Sequence, residues 1–424
     1  MKNISTILYL TLLSFLLLIG CSNDSSTTKN KIETLESNLT RDLKPDVTNS
    51  ELIALAQNNN QFAFSIFDKL FQSEEDNIFF SPYSISEALA IKYAGAKGDT
   101  KAEIASVFNF DMNNDEQLHK SFNGLDLHLN HDDENYTFNI VNSIWIQKDY
   151  SILDSYLDTI KVNYGAKIRT LDYIQEREKS RVVINDWVKN QTHNHIQEII
   201  PQGMIDDFTR FVLVNAVYFK GKWLSPFYAT YTKNSIFTLE DGSTKMIPFM
   251  KQVESTYNYI KGDSFQSIEL PYQGSKSSMI IVFPDEGEFS NNIDDIERIY
   301  QESYENMRVE NIAILKIPKF EFKTPLYDIK EHLKDLGMNK PFSSSANFGN
   351  MTSDNSLKID SILHQAFIKV DENGTEATAT TIAIDSNLTG SLNSIILDIN
   401  RPFIFFIKDN MTQQILFMGV IKEP

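Results

Sequence analysis

The sequence predicts an α+β fold organised around large mixed or antiparallel sheets. From about residue 50 onward, amphipathic helical stretches such as Phe62 to Phe71 alternate with β-rich ones such as Phe138-Asn139-Ile140-Val141. Helical patterns dominate the first half and strand patterns the second, the order expected of an α+β chain. No internal repeat or low-complexity linker interrupts this region. Its share of the 424 residues could form one large domain or two or three small ones.

The N-terminus reads separately. Lys2 precedes an apolar run from Ile7 to Ile19. That run is about 13 residues, shorter than the roughly 20 that span a bilayer, and has the form of a signal-peptide core. It ends in Leu18-Ile19-Gly20-Cys21, which resembles the bacterial lipobox, whose cysteine is lipidated after cleavage. Cys21 is the only cysteine, so no disulfide can form within the chain. Residues 22 to about 50 are rich in Ser, Thr, Asn, Asp and Lys and contain no aromatic residue, a composition expected of a disordered tether reaching roughly 30 Å. The expected organisation is a signal peptide over 1–20, a lipidated cysteine and flexible tether over 21–50, and a folded domain over 51–424. The signal implies an exported lipoprotein of the cell envelope, at the outer membrane or cell surface, with the membrane as a partner through lipid on Cys21.

The formal net charge of −18 argues against nucleic acid as a partner. Enzyme signatures are missing. No Gly-x-Ser-x-Gly elbow, His-Glu-x-x-His or P-loop occurs, and Gly262-Asp263-Ser264 is followed by Phe265 where a protease nucleophile would have glycine. His193, His195 and Glu198 could ligate a metal by spacing. They follow the helical stretch Ile184 to Val188, however, and histidines at a helix C-terminus are favoured by its dipole. No metal, cofactor or catalytic residue is expected.

The most informative stretch is Glu372-Asn373-Gly374-Thr375-Glu376-Ala377-Thr378-Ala379-Thr380-Thr381. It is small, β-branched and free of proline, yet a polar stretch from Ile382 to Asn393 follows it that reads as a long loop. As a strand, it would put Thr375, Ala377, Ala379, Thr381 and Ala383 on one face, and Glu376, Thr378, Thr380 and Ile382 on the other. The first set is small enough to enter a close-packed interior. Gly374 supplies a permissive hinge. An Ala/Thr-rich edge strand or linker would read the same way from this run alone.

The run is similar to the reactive-loop hinge of inhibitory serpins, and the resemblance covers nearly the whole chain. Asn77 to Ser86 and Gly95 to Thr100 are similar to segments around the family's central helix. Leu213 to Trp223 resembles the strand bordering the site of loop entry. Leu270-Pro271-Tyr272, Met279 to Pro284, Lys316 to Phe320, Asn400 to Ile407 and Leu416 to Gly419 follow in family order. The resemblance implies a single serpin-like domain with a large central mixed sheet, further sheets, about eight or nine helices and an exposed reactive loop. It implies a suicide-substrate inhibitor of serine or cysteine endopeptidases rather than an enzyme, and a monomer.

Counting from Gly374 at the family's usual spacing places the reactive bond near Leu388-Thr389, while the segment from Thr389 to Arg401, longer than in common members, leaves a displaced or secondary cut after Ile384 or Asn387 open. Leucine there implies a target with an apolar primary pocket, chymotrypsin-, elastase- or subtilisin-like. Asp385 fits poorly, because on the inward face it would be a buried carboxylate without a partner. Ser81, Ser84, Asn215 and His364 match the family's polar cluster beneath the opening sheet, and Trp223 matches the aromatic residue where the hinge enters. Some serpins carry a basic helix where Phe108 to Asn135 is acidic here, so no heparin-like cofactor is expected. A non-inhibitory serpin serving as a binding or carrier module is the alternative, although none of the bulky, charged or proline residues that such members often carry in the hinge occurs between Ala377 and Thr381.

Overall fold

Thr48 starts the first long helix with a reciprocal cap. Its hydroxyl accepts from the Glu51 N–H (3.3 Å), and its own N–H donates to the Glu51 carboxylate (2.7 Å). The computed structural model describes residues 32–130, 136–192, 194–354, 357–375 and 395–424. Within them lie helices α1 (Asn49–Ser73), α2 (Pro82–Gly95), α3 (Gly98–Phe108), α4 (Asp115–Leu129), α5 (Asp154–Tyr164) and α6 (Arg177–Gln191). Three shorter helices follow: α7 (Phe289–Asp294), α8 (Ile296–Asn306) and α9 (Lys330–Asp335). Most strands come after α6, so the expected division between the halves holds.

The first sheet is mixed. Its order is β1 (Glu33–Leu35), β4 (Ile168–Leu171), β3 (Tyr136–Gln147), β5 (Phe211–Lys222), β14 (Gly374–Thr375), β13 (Ser361–Asp371) and β11 (Phe320–Lys323), with β12 (Tyr327–Asp328) also on β13. The second runs β15 (Ile395–Asp398), β10 (Arg308–Pro318), β7 (Thr244–Lys261), β8 (Phe265–Pro271), β9 (Ser277–Pro284), β16 (Phe403–Asp409), β17 (Ile415–Ile421) and β2 (Ile78–Phe80), with β6 (Lys233–Thr238) on β7.

Helix α2 is buried on nearly every side, which explains its lack of a polar stripe. It packs on β5 of the first sheet and on β17 of the second. Ser81 caps it, accepting from the Ser84 N–H (3.3 Å), and Pro82 occupies the first turn, where a missing N–H costs nothing. This helix is therefore the floor beneath the central strands of the first sheet.

The folded domain begins at Glu33, not at residue 51. Residues 33–50 of the expected tether therefore belong to the folded domain. β1 pairs antiparallel with edge strand β4, and the Asp42 N–H donates to the Val162 carbonyl (2.9 Å). Arg41 reaches Asn123 (2.8 Å) and the buried Asp126 (2.5 Å) on α4. The composition misled because these few polar side chains have long-range partners that no local pattern reveals. Removing Arg41 strands a buried carboxylate. Arg41→Met is therefore expected to lower stability by about 2 kcal/mol, read from the guanidinium unfolding midpoint. An unchanged midpoint would show that the arm adds nothing.

Candidate functional site

Strands β5 and β13 are parallel and pair directly from Val212/Ser361 to Val217/Ala366. Above that point they part. The wedge is β14, antiparallel to both, with Gly374 opposite Lys222 and Asp371, and Thr375 opposite Gly221 and Val370. The first two residues of the hinge therefore already lie inside the sheet. No side chain larger than hydrogen fits at Gly374, because a Cβ there would sit 2.0 Å from the Gly221 carbonyl oxygen. The alternate residues Ile362, His364, Ala366, Ile368 and Val370 of β13 are almost fully buried, so this face looks into the core.

The turn into the wedge is held from several sides. Trp223 donates its N–H to the Asn373 carbonyl (2.8 Å) and its indole N–H to the Asp371 carbonyl (3.0 Å). Its ring stacks on Tyr272 with centroids 4.8 Å apart and planes at 10°. The Tyr272 hydroxyl in turn bonds the Thr375 hydroxyl (2.8 Å). Glu372 accepts from Lys319 (2.7 Å) and Thr232 (2.6 Å). Burial would raise the Glu372 carboxyl, but these two bonds outweigh it and hold the group below its ordinary value.

Further down the sheet lies a buried polar cluster that joins five elements, α2, β3, β5, β13 and β17. The Ser81 N–H donates to His364 Nε2 (3.2 Å), and the Ser81 hydroxyl donates to the Leu416 carbonyl (2.7 Å). His364 Nε2 is thus an acceptor, so its proton sits on Nδ1 and donates to Asn215 Oδ1 (2.5 Å). Ser84 donates to the same oxygen (2.7 Å). The Asn215 amide donates to the Ser84 carbonyl (2.9 Å) and to Asn142 Oδ1 (2.5 Å), and Asn142 donates to Glu87 (2.7 Å). Burial keeps the His364 imidazole neutral, lowering its pKa to about 3.

Of the residues singled out by sequence, Ser81, Ser84, Asn215 and His364 come together. Trp223 stands apart from them, at the upper end of β5, beside Glu372, Gly374 and Thr375. Glu376, Ala377, Thr378, Ala379, Thr380, Thr381, Leu388, Thr389 and Cys21 lie outside the described residues. His195 follows the end of α6 and stacks on Phe367 with centroids 4.4 Å apart. Sequence reasoning missed Asn142 and Glu87, which carry the cluster to β3 and α2. It also gave no role to Tyr272 and Lys319, although both fall in the quoted strand motifs. Their contacts are made across sheet neighbours remote in sequence, so only strand register could have found them.

The neutral His364 has a pH consequence. Below about pH 6.5 the unfolded chain's imidazole takes a proton that the folded one refuses down to about pH 3, so stability present above pH 6.5 falls as the pH drops. His119, lowered to about 4 by burial, acts in the same direction and stays in a His364 variant. Between pH 6.5 and 5 the native protein is expected to lose about 1.5 kcal/mol more than His364→Gln, read from urea midpoints. Parallel pH profiles for the two proteins would contradict this.

A family model described as "Serpin (serine protease inhibitor)" matches residues 57–424. A serpin-like protein of Methanosarcina acetivorans is 34% identical over 96% of this chain and 95% of its own length. The leukocyte elastase inhibitor of Sus scrofa is 35% identical over 87% of this chain and 99% of its own. Human thyroxine-binding globulin in complex with thyroxine superposes with a TM-score of 0.80 at 26% identity, covering 88% of this chain and 99% of that one.

Proposed function

The chain belongs to the serpin family, and from that premise we propose that it is a suicide-substrate inhibitor of serine endopeptidases. A target protease attacks the Leu388 carbonyl, forms an acyl-enzyme and releases the amine of Thr389. The freed hinge half then inserts between β5 and β13 and drags the bound protease with it, so deacylation stalls. The uncleaved fold is a kinetically trapped state, and insertion releases it.

The observation that carries this reading is the register of β14. Continued one residue at a time, it sets Ala377 between Phe219 and Ile368, and Ala379 between Val217 and Ala366. Thr381 falls between Asn215 and His364, and Ala383 between Leu213 and Ile362. Every core-facing position from Ala377 to Ala383 is therefore small where its neighbours are already packed. Glu376 falls on the other face, between Lys220 and Lys369, where opposite charges across strands are favourable. Each inserted residue replaces one β5–β13 ladder by two.

Leucine at the reactive position fits a protease with an apolar primary pocket, and the name of the elastase-inhibitor relative agrees with that class. The lipobox-like signal extends the proposal. Lipid on Cys21 would tie the domain to a cell-envelope membrane, with residues 22–32 as the available tether.

The test is incubation of the chain lacking its first 21 residues with chymotrypsin, an elastase and subtilisin, resolved on a denaturing gel with mass spectrometry of the released peptide. An SDS-stable complex and a peptide starting at Thr389 are expected. Cleavage by all three without any complex would favour a non-inhibitory binding module. Ala377→Arg should abolish the complex and leave the loop cleavable, because a long charged side chain cannot pack between Phe219 and Ile368. A complex retained by that variant would count against insertion.

A further inference from the structure

We infer that a cavity enclosed by α2, α4, α5, β3 and the N-terminal arm binds a small zwitterionic amine, with the ammonium on Glu87 and Asp126 and the carboxylate at Lys167. The cavity has a volume of about 530 Å³, within the range of small-molecule sites. Arg41 lines it from the arm, Glu87 from α2, Asp126 from α4, Tyr164 from α5, and Phe138 and Ile140 from β3. No step of the proposed inhibition uses it.

The inner end of the cavity is acidic. Glu87 and Asp126 are 6% and 4% exposed and hydrogen-bond each other. The one guanidinium beside them, Arg41, is bound to Asp126 (2.5 Å). Burial, and after it the Asp126 charge, hold the Glu87 carboxyl protonated well above the ordinary carboxylate range. Asn130, which follows α4, and Tyr164 and Gly165, which end α5, also line the cavity, so the partial negative charge of two helix ends falls there. Tyr83 points independently to a missing ligand. Its hydroxyl is fully buried and has no hydrogen-bond partner among the described residues. It lies within electrostatic reach of Glu87, Asp126, Arg41 and Tyr164, and all four line the cavity. A primary ammonium has three N–H donors, and the two carboxylates and this hydroxyl are three acceptors.

The open side has the opposite sign. Asn130 and Gly165 are exposed there, and the half-buried Lys167 lines it. Arg169 lines the cavity too, with its guanidinium 4.2 Å from the centre of the Trp187 ring. These cations and Arg41 oppose a ligand that is only cationic, whereas an anionic group at its outer end is drawn to Lys167. Phe138 and Ile140 give the carbon chain between the two groups an apolar wall. On binding, Glu87 loses its proton to solvent, and the ammonium takes the proton's place between the two carboxylates. No covalent bond forms. The groups facing Glu87 are Asp126 from α4, Arg41 from the arm, Tyr164 from α5 and Tyr83 from α2, while β3 offers the neutral amide of Asn142 (2.7 Å). Binding therefore tightens as the pH rises, because the proton on Glu87 is lost more easily.

The experiment titrates the protein with 6-aminohexanoate, pentylammonium and hexanoate, followed by calorimetry in buffers of different ionisation enthalpy. 6-Aminohexanoate is expected to bind about tenfold more tightly than pentylammonium, and hexanoate not to bind. Up to about one proton should be released per ammonium bound. Glu87→Gln should weaken both amines about tenfold or more and abolish the proton release. Lys167→Met should bring 6-aminohexanoate down to the affinity of pentylammonium and leave pentylammonium unweakened. Hexanoate binding as tightly as 6-aminohexanoate, or no saturation by either amine at about 10 mM, would overturn the site. Unchanged affinities in Glu87→Gln would do the same. If Glu87→Gln fails to fold, the native protein and Lys167→Met decide: binding without proton release, or undiminished 6-aminohexanoate affinity in Lys167→Met, overturns the assignment.

Discussion

The architecture depends on one half-made ladder, the parallel pairing of β5 and β13. The two strands exchange hydrogen bonds from Val212/Ser361 to Val217/Ala366 and are then held apart by Gly374 and Thr375. Parallel neighbours can admit a third strand antiparallel to both. Here that strand follows β13 through a two-residue turn, so its direction is already correct and its register is set by the turn. Trp223, Tyr272, Thr232 and Lys319 fix the turn, and the missing side chain of Gly374 lets its backbone approach the Gly221 carbonyl. Under the proposed mechanism, the opening would thus be placed, shaped and started before any bond is cut.

Below the opening, the sheet is held by exchangeable polar contacts rather than by apolar packing alone. Asn215 and His364 bond each other directly, at the level where the incoming strand would place Thr381. A hydroxyl arriving there can replace part of what it breaks, so the group need not pass through an unsatisfied buried state. The hydrogen bonds continue from Asn215 through Asn142 to Glu87, beside Asp126 and Arg41 of the N-terminal arm. The Asn215–His364 contact between β5 and β13 and Arg41 of the N-terminal arm therefore belong to one contiguous polar system.

Much of this was legible in the sequence, and the exceptions have physical causes. The alternation of small residues after Gly374 says only which side chains would share a face of a strand, because side-chain period in a strand is fixed by geometry; the residues themselves lie outside the described ones. Ser81, Ser84 and Asn215 lie in motif-bearing segments, and His364 was matched singly to the same polar cluster, so all four could be named in advance. The arm over 33–48 was not legible. Its composition is that of a disordered segment, and its order comes from three β-pairs and a few contacts such as Arg41 with Asp126. Asn142 and Glu87 carry no local signal, since their roles exist only through register across β3 and β5.

The most direct test is a crystal structure of the protein after cleavage at Leu388-Thr389. The account predicts a new strand between β5 and β13, antiparallel to both, with Thr381 between Asn215 and His364 and the bond between those two residues broken. A cleaved structure in which β5 and β13 stay paired from Val212 to Val217, or one in which the strand enters with its small residues facing solvent, would contradict it.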